Sequence, residues 1–235
     1  MNDNLNRTAR TVGVLYLISN ATFLIGAMVI LEPYLSAADY LVQVSANSTQ
    51  VILGALLEII NGVAYIGIAV LMFPILRQRF ESMALGYVAF RIIEFVTQIA
   101  ASVVPLLLVT LSEESVRAGA PGSQAVGELL LATRYWSYEM LYLVFCLSAL
   151  MFYYMLYQTR LIPRFISVWG LIGATLVLAN TVLEIFAIDL GTSIGMITGL
   201  PMLLNELFLG VWLIVKGFSP DAEIYDSAEA SAKQA

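Results

Sequence analysis

The chain has 235 residues, 60% hydrophobic and 12% charged, with a formal net charge of −6 and a mean hydropathy of +0.86. Soluble domains are about half apolar and about one quarter charged, so in water this chain would expose a large and costly apolar surface that a bilayer would cover. Nucleic acid is not an expected partner, since no Lys/Arg-rich run is present; a lone Cys146 rules out an intrachain disulfide, and the absence of histidine removes His-ligated haem, His-based zinc and a Ser-His-Asp triad.

Crossing about 30 Å of hydrocarbon takes about 20 apolar residues in a helix. In chain order six segments qualify: 11–31, 51–76, 83–111, 135–159, 165–188 and 195–216. None alternates as a barrel strand would, so the expected fold is an all-α integral membrane protein, a bundle of six transmembrane helices. The first segment reads as a retained anchor, because Leu31-Glu32-Pro33-Tyr34 is no small-residue cleavage site. Between the first two spans, residues 32–50 suit a short interfacial helix, with Asn47 or Ser48 capping the second span. The second and third are joined tightly at Arg77–Ser82. After the third come Gly119-Ala120-Pro121-Gly122, a break from which Ser123 starts a helix along the membrane or into span four. Pro163 stops the tight turn between spans four and five.

The positive charges orient this bundle. With the N-terminus cytoplasmic, Arg7, Arg10, Arg77, Arg79, Arg160, Arg164, Lys216 and Lys233 fall inside, and Arg117 and Arg134 outside. The cytoplasmic side should hold the Lys/Arg excess, so both termini are expected there, in a cell-membrane protein. Residues 1–218 form the transmembrane domain on this reading, and 219–235 a short disordered acidic tail.

Ionisable groups at mid-bilayer are costly and normally face a bundle interior or a wet cavity. Spans two to six each carry a glutamate: Glu58, Glu94, Glu139, Glu184 and Glu206; Arg91 is the one basic residue read as intramembrane. At about 1.5 Å per residue from the nearest cytoplasmic charge, Glu206, Arg91 and Glu94 lie about 15–22 Å deep, and Glu58, Glu184 and Glu139 about 28–32 Å. Helical spacing aligns Arg91, Glu94 and Gln98; Glu58, Asn61 and Tyr65; Asn180 and Glu184; and Tyr135, Glu139 and Tyr142. If these stripes face inward they line an outward-facing polar chamber, with Glu206, Glu94 and Arg91 at its floor and Asn61, Asn180 and Asn205 as further polar candidates. Equally, Arg91 and Glu94 fit a local ion pair that ties helices together, and the high-lying Glu139 and Glu184 fit snorkelling into headgroups. Crowded carboxylates cannot all ionise in low dielectric, which suits proton or cation exchange as well as neutral acids bonded between helices. The remaining features suit packing. Gly62, Gly67, Gly170, Gly173, Gly195, Gly199 and Gly210 suit close helix approach, and Pro74, Pro105 and Pro201 should kink or end helices. Trp136, Tyr138, Trp169 and Phe152-Tyr153-Tyr154 with Tyr157 are expected as interfacial anchors.

Arg10-Thr11-Val12-Gly13-Val14-Leu15-Tyr16-Leu17, Leu161-Ile162-Pro163-Arg164 with Trp169-Gly170-Leu171-Ile172-Gly173, and Asn205-Glu206-Leu207 with Leu213-Ile214-Val215-Lys216-Gly217-Phe218 occur in that order. Together they resemble the bacterial multi-pass membrane proteins of the domain-of-unknown-function 4386 family, over about residues 8–218. The resemblance implies a fold and a location, and no activity or catalytic residue.

Three functions remain open on the sequence. The leading expectation is binding or transport of a small cation, proton or amphiphile through the polar chamber, with the bilayer and a small-molecule or ion ligand as partners. An intramembrane lipid- or isoprenoid-modifying enzyme ranks below it: carboxylates can hold magnesium or move protons, but Asp3, Asp39, Asp189, Asp221 and Asp226 all lie in loops or tails and no nucleophile–base pair is visible. The third is a noncatalytic partner of another membrane protein, or a homo-oligomer. No cofactor or metal is expected.

Overall fold

The computed structural model describes residues 2–118, 122–186, 188, 192–220 and 222–223. Of the expected features, Gly119-Ala120-Pro121 and the tail from residue 224 onward lie outside the described residues. The described chain is helical: α1 (Asn2–Phe23) runs through a π-helical stretch (Leu24–Leu31) into α2 (Glu32–Leu35), followed by α3 (Tyr40–Ala46), α4 (Ser48–Ala118), α5 (Ser123–Thr159), α6 (Arg164–Ile185) and α7 (Thr192–Val215). Five helical stretches are long and apolar enough to cross a membrane: Asn4–Leu35, Ser48–Ser115, Ser123–Thr159, Arg164–Ile185 and Ile197–Val215. Their outer faces remain apolar, with Val29, Leu129, Ile197 and Val215 each about two-thirds exposed. Water would penalise that surface and acyl chains would not. This is a multi-pass membrane protein.

The 71 residues of α4 would extend about 106 Å as one straight helix, far more than a bilayer's hydrocarbon. They do not run straight, because Phe80 leaves helical geometry (φ −133°, ψ 61°) within the expected turn at Arg77–Ser82. Beyond it the chain doubles back. Ser102 meets Glu58 and Gln98 meets Asn61, pairs symmetric about Phe80. Of the prolines, Pro74 and Pro105 lie within α4 and Pro201 within α7, so none of them ends its helix. α5 is continuous from Ser123, well before the expected start of span four, which places Arg134 inside a helix rather than in an outer loop.

The helix ends follow local chemistry. Pro163, extended at φ −54° and ψ 134°, precedes α6, where its missing N–H costs nothing. At the end of α7, Gly217 takes φ +72° and its N–H bonds Leu213 O at 3.2 Å, a left-handed cap open to glycine. The chain then turns back along the α5–α6 connection. Ser219 N–H bonds Leu161 O and Glu223 N–H bonds Thr159 O, both at 2.8 Å. The Glu223 carboxylate pairs with Arg160 (2.7 Å) and Arg79 (3.4 Å), and Arg79 also donates to Gln158 O at 2.9 Å.

By their contacts the residues divide into two units, Met1–Leu17, Ala64–Ile93 and Tyr142–Ala235 in the first, and Ile18–Val63 and Glu94–Leu141 in the second. The core of the first includes Val12, Tyr16, Ile68, Met72, Tyr87, Phe152, Met155 and Leu209. Phe152 and Tyr153 are each 1% exposed, and Phe152 stacks on Tyr87 at 4.9 Å between centroids. Both therefore serve the core and not the interfacial belt expected of them; Tyr154 is exposed. In the same unit a Cβ on Gly13 would stand 2.6 Å from Gly210 O, and the space around Gly199 is open. Gly210 thus belongs to a close helix crossing, and Gly199 does not. Gly13→Ala will force α1 and α7 apart and destabilise the purified protein by about 1–3 kcal/mol, whereas Gly199→Ala will leave the melting temperature unchanged or slightly raised.

The second unit packs Leu31, Val44, Val51, Val104 and Leu108 together. Helix α3 falls within the segment expected to hold a short helix. Its Tyr40 hydroxyl donates to Gln124 O at 3.2 Å, and burial, with Glu128 nearby, raises the pKa of this phenol above its ordinary value, so it stays a donor.

Candidate functional site

In the first unit a buried polar group sits among aromatic rings. Glu206, on α7, is 4% exposed, and its Oε2 accepts a hydrogen bond from the Tyr65 hydroxyl at 2.6 Å. The Tyr65 ring in turn faces Arg91, whose guanidinium carbon lies 4.4 Å from the ring centroid, 5.3 Å from that of Phe145 and 5.5 Å from that of Tyr87. Tyr16 meets Tyr65 edge-on at 6.2 Å. Arg91 is only 1% exposed. A guanidinium over aromatic faces replaces part of its lost hydration with the rings' quadrupoles, so a cation is held in the apolar core while Tyr65 links it to an acid. Asn205, the neighbour of Glu206, donates to Ile166 O at 2.9 Å and fixes α7 against α6. Asn180 and Glu184 lie further along α6, both half-buried.

The second unit holds an ion pair that the sequence reading did not foresee. Glu58, fully buried, accepts from both terminal nitrogens of Arg134 (Nη1 to Oε2 at 3.1 Å, Nη2 to Oε1), from the Tyr138 hydroxyl, and from Ser102 Oγ at 2.9 Å. Arg134 Nη1 also donates to Ala101 O at 2.9 Å. Next to this clamp, Gln98 Nε2 donates to Glu58 O and Asn61 Oδ1, both at 2.8 Å. Asn61 Nδ2 donates to Ser19 O at 2.9 Å and Ser19 Oγ at 2.8 Å. Both oxygens of Glu58 are thus held by donors from two helical segments, an arrangement suited to a fixed charge. Tyr138, expected as an interfacial anchor, is part of this clamp. Glu94 and Glu139 are also buried in the second unit.

Of the candidate residues, Glu206, Arg91, Asn205, Asn180 and Glu184 therefore fall in the first unit, and Glu58, Asn61, Glu94 and Glu139 in the second. Asn61 and the Glu58 backbone share a network through Gln98, while Tyr65, aligned with them by helical spacing, falls in the first unit. The second unit also carries an open groove of about 520 Å³ lined by Thr97, Ala100, Leu129, Ala132, Thr133, Trp136, Ser137 and Met140. None of the carboxylates lines it. Its Thr97, Thr133 and Ser137 hydroxyls bond carbonyls of their own helices, leaving an apolar trough.

Residues 11–217 match the family model described as "Domain of unknown function (DUF4386)". The chain belongs to the DUF4386 family. That match includes part or all of every long helix and both buried polar groups of this DUF4386 protein, and agrees with the resemblance carried by its three motifs. No curated protein and no solved structure matches the chain.

Proposed function

We propose that this DUF4386 protein binds a proton or small cation at Glu206 and exchanges it within the membrane. The supporting observation is a buried carboxylate on a membrane-crossing helix, held on one oxygen by the Tyr65 hydroxyl. A carboxylate in such surroundings gains or loses a proton, or takes up a cation, at small net cost only if its neighbours compensate the change. Tyr65 supplies that compensation: its hydroxyl bonds either form of the acid, and its ring lies against Arg91. The accompanying topology is six crossings, with α4 counted as two about Phe80, and with both termini on the cytoplasmic side of the cell membrane.

The test is proton flux into liposomes loaded with a pH-sensitive dye. Wild-type protein should accelerate dye response over empty liposomes, Glu206→Gln should reduce that acceleration to near background, and Tyr65→Phe should reduce it partially. No flux, or flux indifferent to Glu206→Gln, would overturn the reading. A reporter fused after Ala235 that proved active only outside the cell would overturn the topology.

A further inference from the structure

We propose that the α6–α7 face of the first unit is a binding site for an anionic phospholipid, with the headgroup held by Arg164 and Lys216 and an acyl chain lying on an aromatic ridge. α6 and α7 pack closely, and their contact places the first turns of α6 beside the last turns of α7: Asn205 bonds Ile166 O, and Phe165 meets Phe208 at 5.9 Å and Trp212 at 6.4 Å between centroids. Trp169 meets Phe208 at 5.9 Å, and Phe208 stacks on Trp212 at 6.1 Å. Four rings therefore form one continuous ridge. Phe165 is 55% exposed and Phe208 39%, and Trp169 and Trp212 are half-buried, so the ridge faces outward from the bundle.

The cations stand at one end of that ridge. Phe208, Trp212 and Lys216 recur every four residues, which carries one face of α7 straight from ring to ring to ammonium. Lys216 lies about 12 Å along the helix from Phe208. Arg164 opens α6 immediately before Phe165. Its guanidinium carbon lies 4.9 Å from the Tyr157 ring centroid, a contact with a π face that occupies no hydrogen-bond acceptor and is compatible with an anion on the N–H groups. Neither Arg164 nor Lys216 forms an ion pair among the described residues. The acid closest in sequence to Lys216 among those described, Glu223, is engaged by Arg79 and Arg160. Two cations without an ion-pair partner among the described residues, at the edge of an apolar, ring-lined face, complement a phosphate attached to a hydrocarbon chain. A zwitterionic lipid would bring its own cation and gain less.

The test uses the full chain in the Trp136→Phe background, which leaves Trp169 and Trp212 as the only tryptophans, purified in a nonionic maltoside detergent. Tryptophan quenching is titrated with brominated phosphatidylglycerol and, separately, with phosphatidylcholine carrying the same acyl chains. With about 1 kcal/mol from each basic residue near anionic lipid, phosphatidylglycerol should quench at a concentration lower by roughly tenfold or more. Arg164→Gln with Lys216→Gln should bring the two lipids close to parity, and Arg164→Lys should keep most of the preference. Removing equal charge elsewhere, by Arg7→Gln with Arg10→Gln, should leave it intact. Equal quenching by both lipids in the wild type would overturn the proposal. So would an equal loss in the Arg7/Arg10 variant, which would mean a diffuse charge effect, or displacement of the lipid by millimolar inorganic phosphate, which would mean a site for a soluble anion.

Discussion

Replacing Glu58 with alanine will destabilise the purified protein by about 3–5 kcal/mol, among the largest losses expected of a single substitution in this chain. The magnitude comes from what is left behind. Arg134 is 12% exposed at its side chain and Glu58 is fully buried; without the carboxylate, the guanidinium keeps Ala101 O and the Tyr138 ring but loses its counter-charge. Ser102 and Tyr138 lose an acceptor at the same time. Arg134→Ala should cost about as much for the complementary reason. The informative comparison is the double replacement Glu58→Leu with Arg134→Leu, which removes both charges and should be less damaging than either alanine variant, because burying a matched pair is itself costly. Denaturation in mixed micelles measures all three. A double variant as unstable as the sum of the singles would mean that the two side chains do not act as a pair.

The second large effect belongs to Arg91. Truncation to alanine empties the space between Tyr65, Tyr87 and Phe145 and discards three cation–ring contacts; a loss of about 3–5 kcal/mol is expected, as for other large buried side chains. Arg91→Lys separates charge from shape. An ammonium keeps the charge but cannot lie flat against a ring, so the lysine variant should fall between wild type and alanine. Tyr65 ties this substitution to the proposed exchange, since it carries Arg91 on its face and Glu206 on its hydroxyl. Proton flux should therefore fall with Arg91→Ala even under conditions where the variant remains folded. A lysine variant as unstable as alanine would assign the whole effect to planar stacking.

The helical stretches were legible because a membrane-crossing helix advertises itself by length and hydropathy, and the turn at Phe80 lay inside the connection read between Arg77 and Ser82. The buried acids were legible too, as an ionisable residue in an apolar run stands out. Their partners were harder to read. Arg134 borders the apolar segment that follows it, and with a Gly/Pro break upstream it looked like an outer-loop charge. The available signal was its spacing to Tyr138, one helical turn, together with the option that the helix from Ser123 continues into span four. Nor could periodicity within one helix pair Glu206 with Tyr65, because that bond joins residues far apart in sequence. Phe152 and Tyr153 are hard to place for a related reason: aromatic residues near a span end suit a headgroup belt and a tight core equally well, and only the burial of both, with the stacking of Phe152 on Tyr87, decides between the two.

The return of the chain after α7 couples two connections that the sequence presents as independent. Leu161 and Thr159 accept bonds from Ser219 and Glu223 in opposite order along the chain, so the α5–α6 turn and the segment leaving α7 run antiparallel, like two edges of a seam. Lengthening either edge by one residue would slide the other out of register and carry Glu223 away from Arg79 and Arg160. Insertions at these two places should therefore be tolerated in matched pairs or not at all.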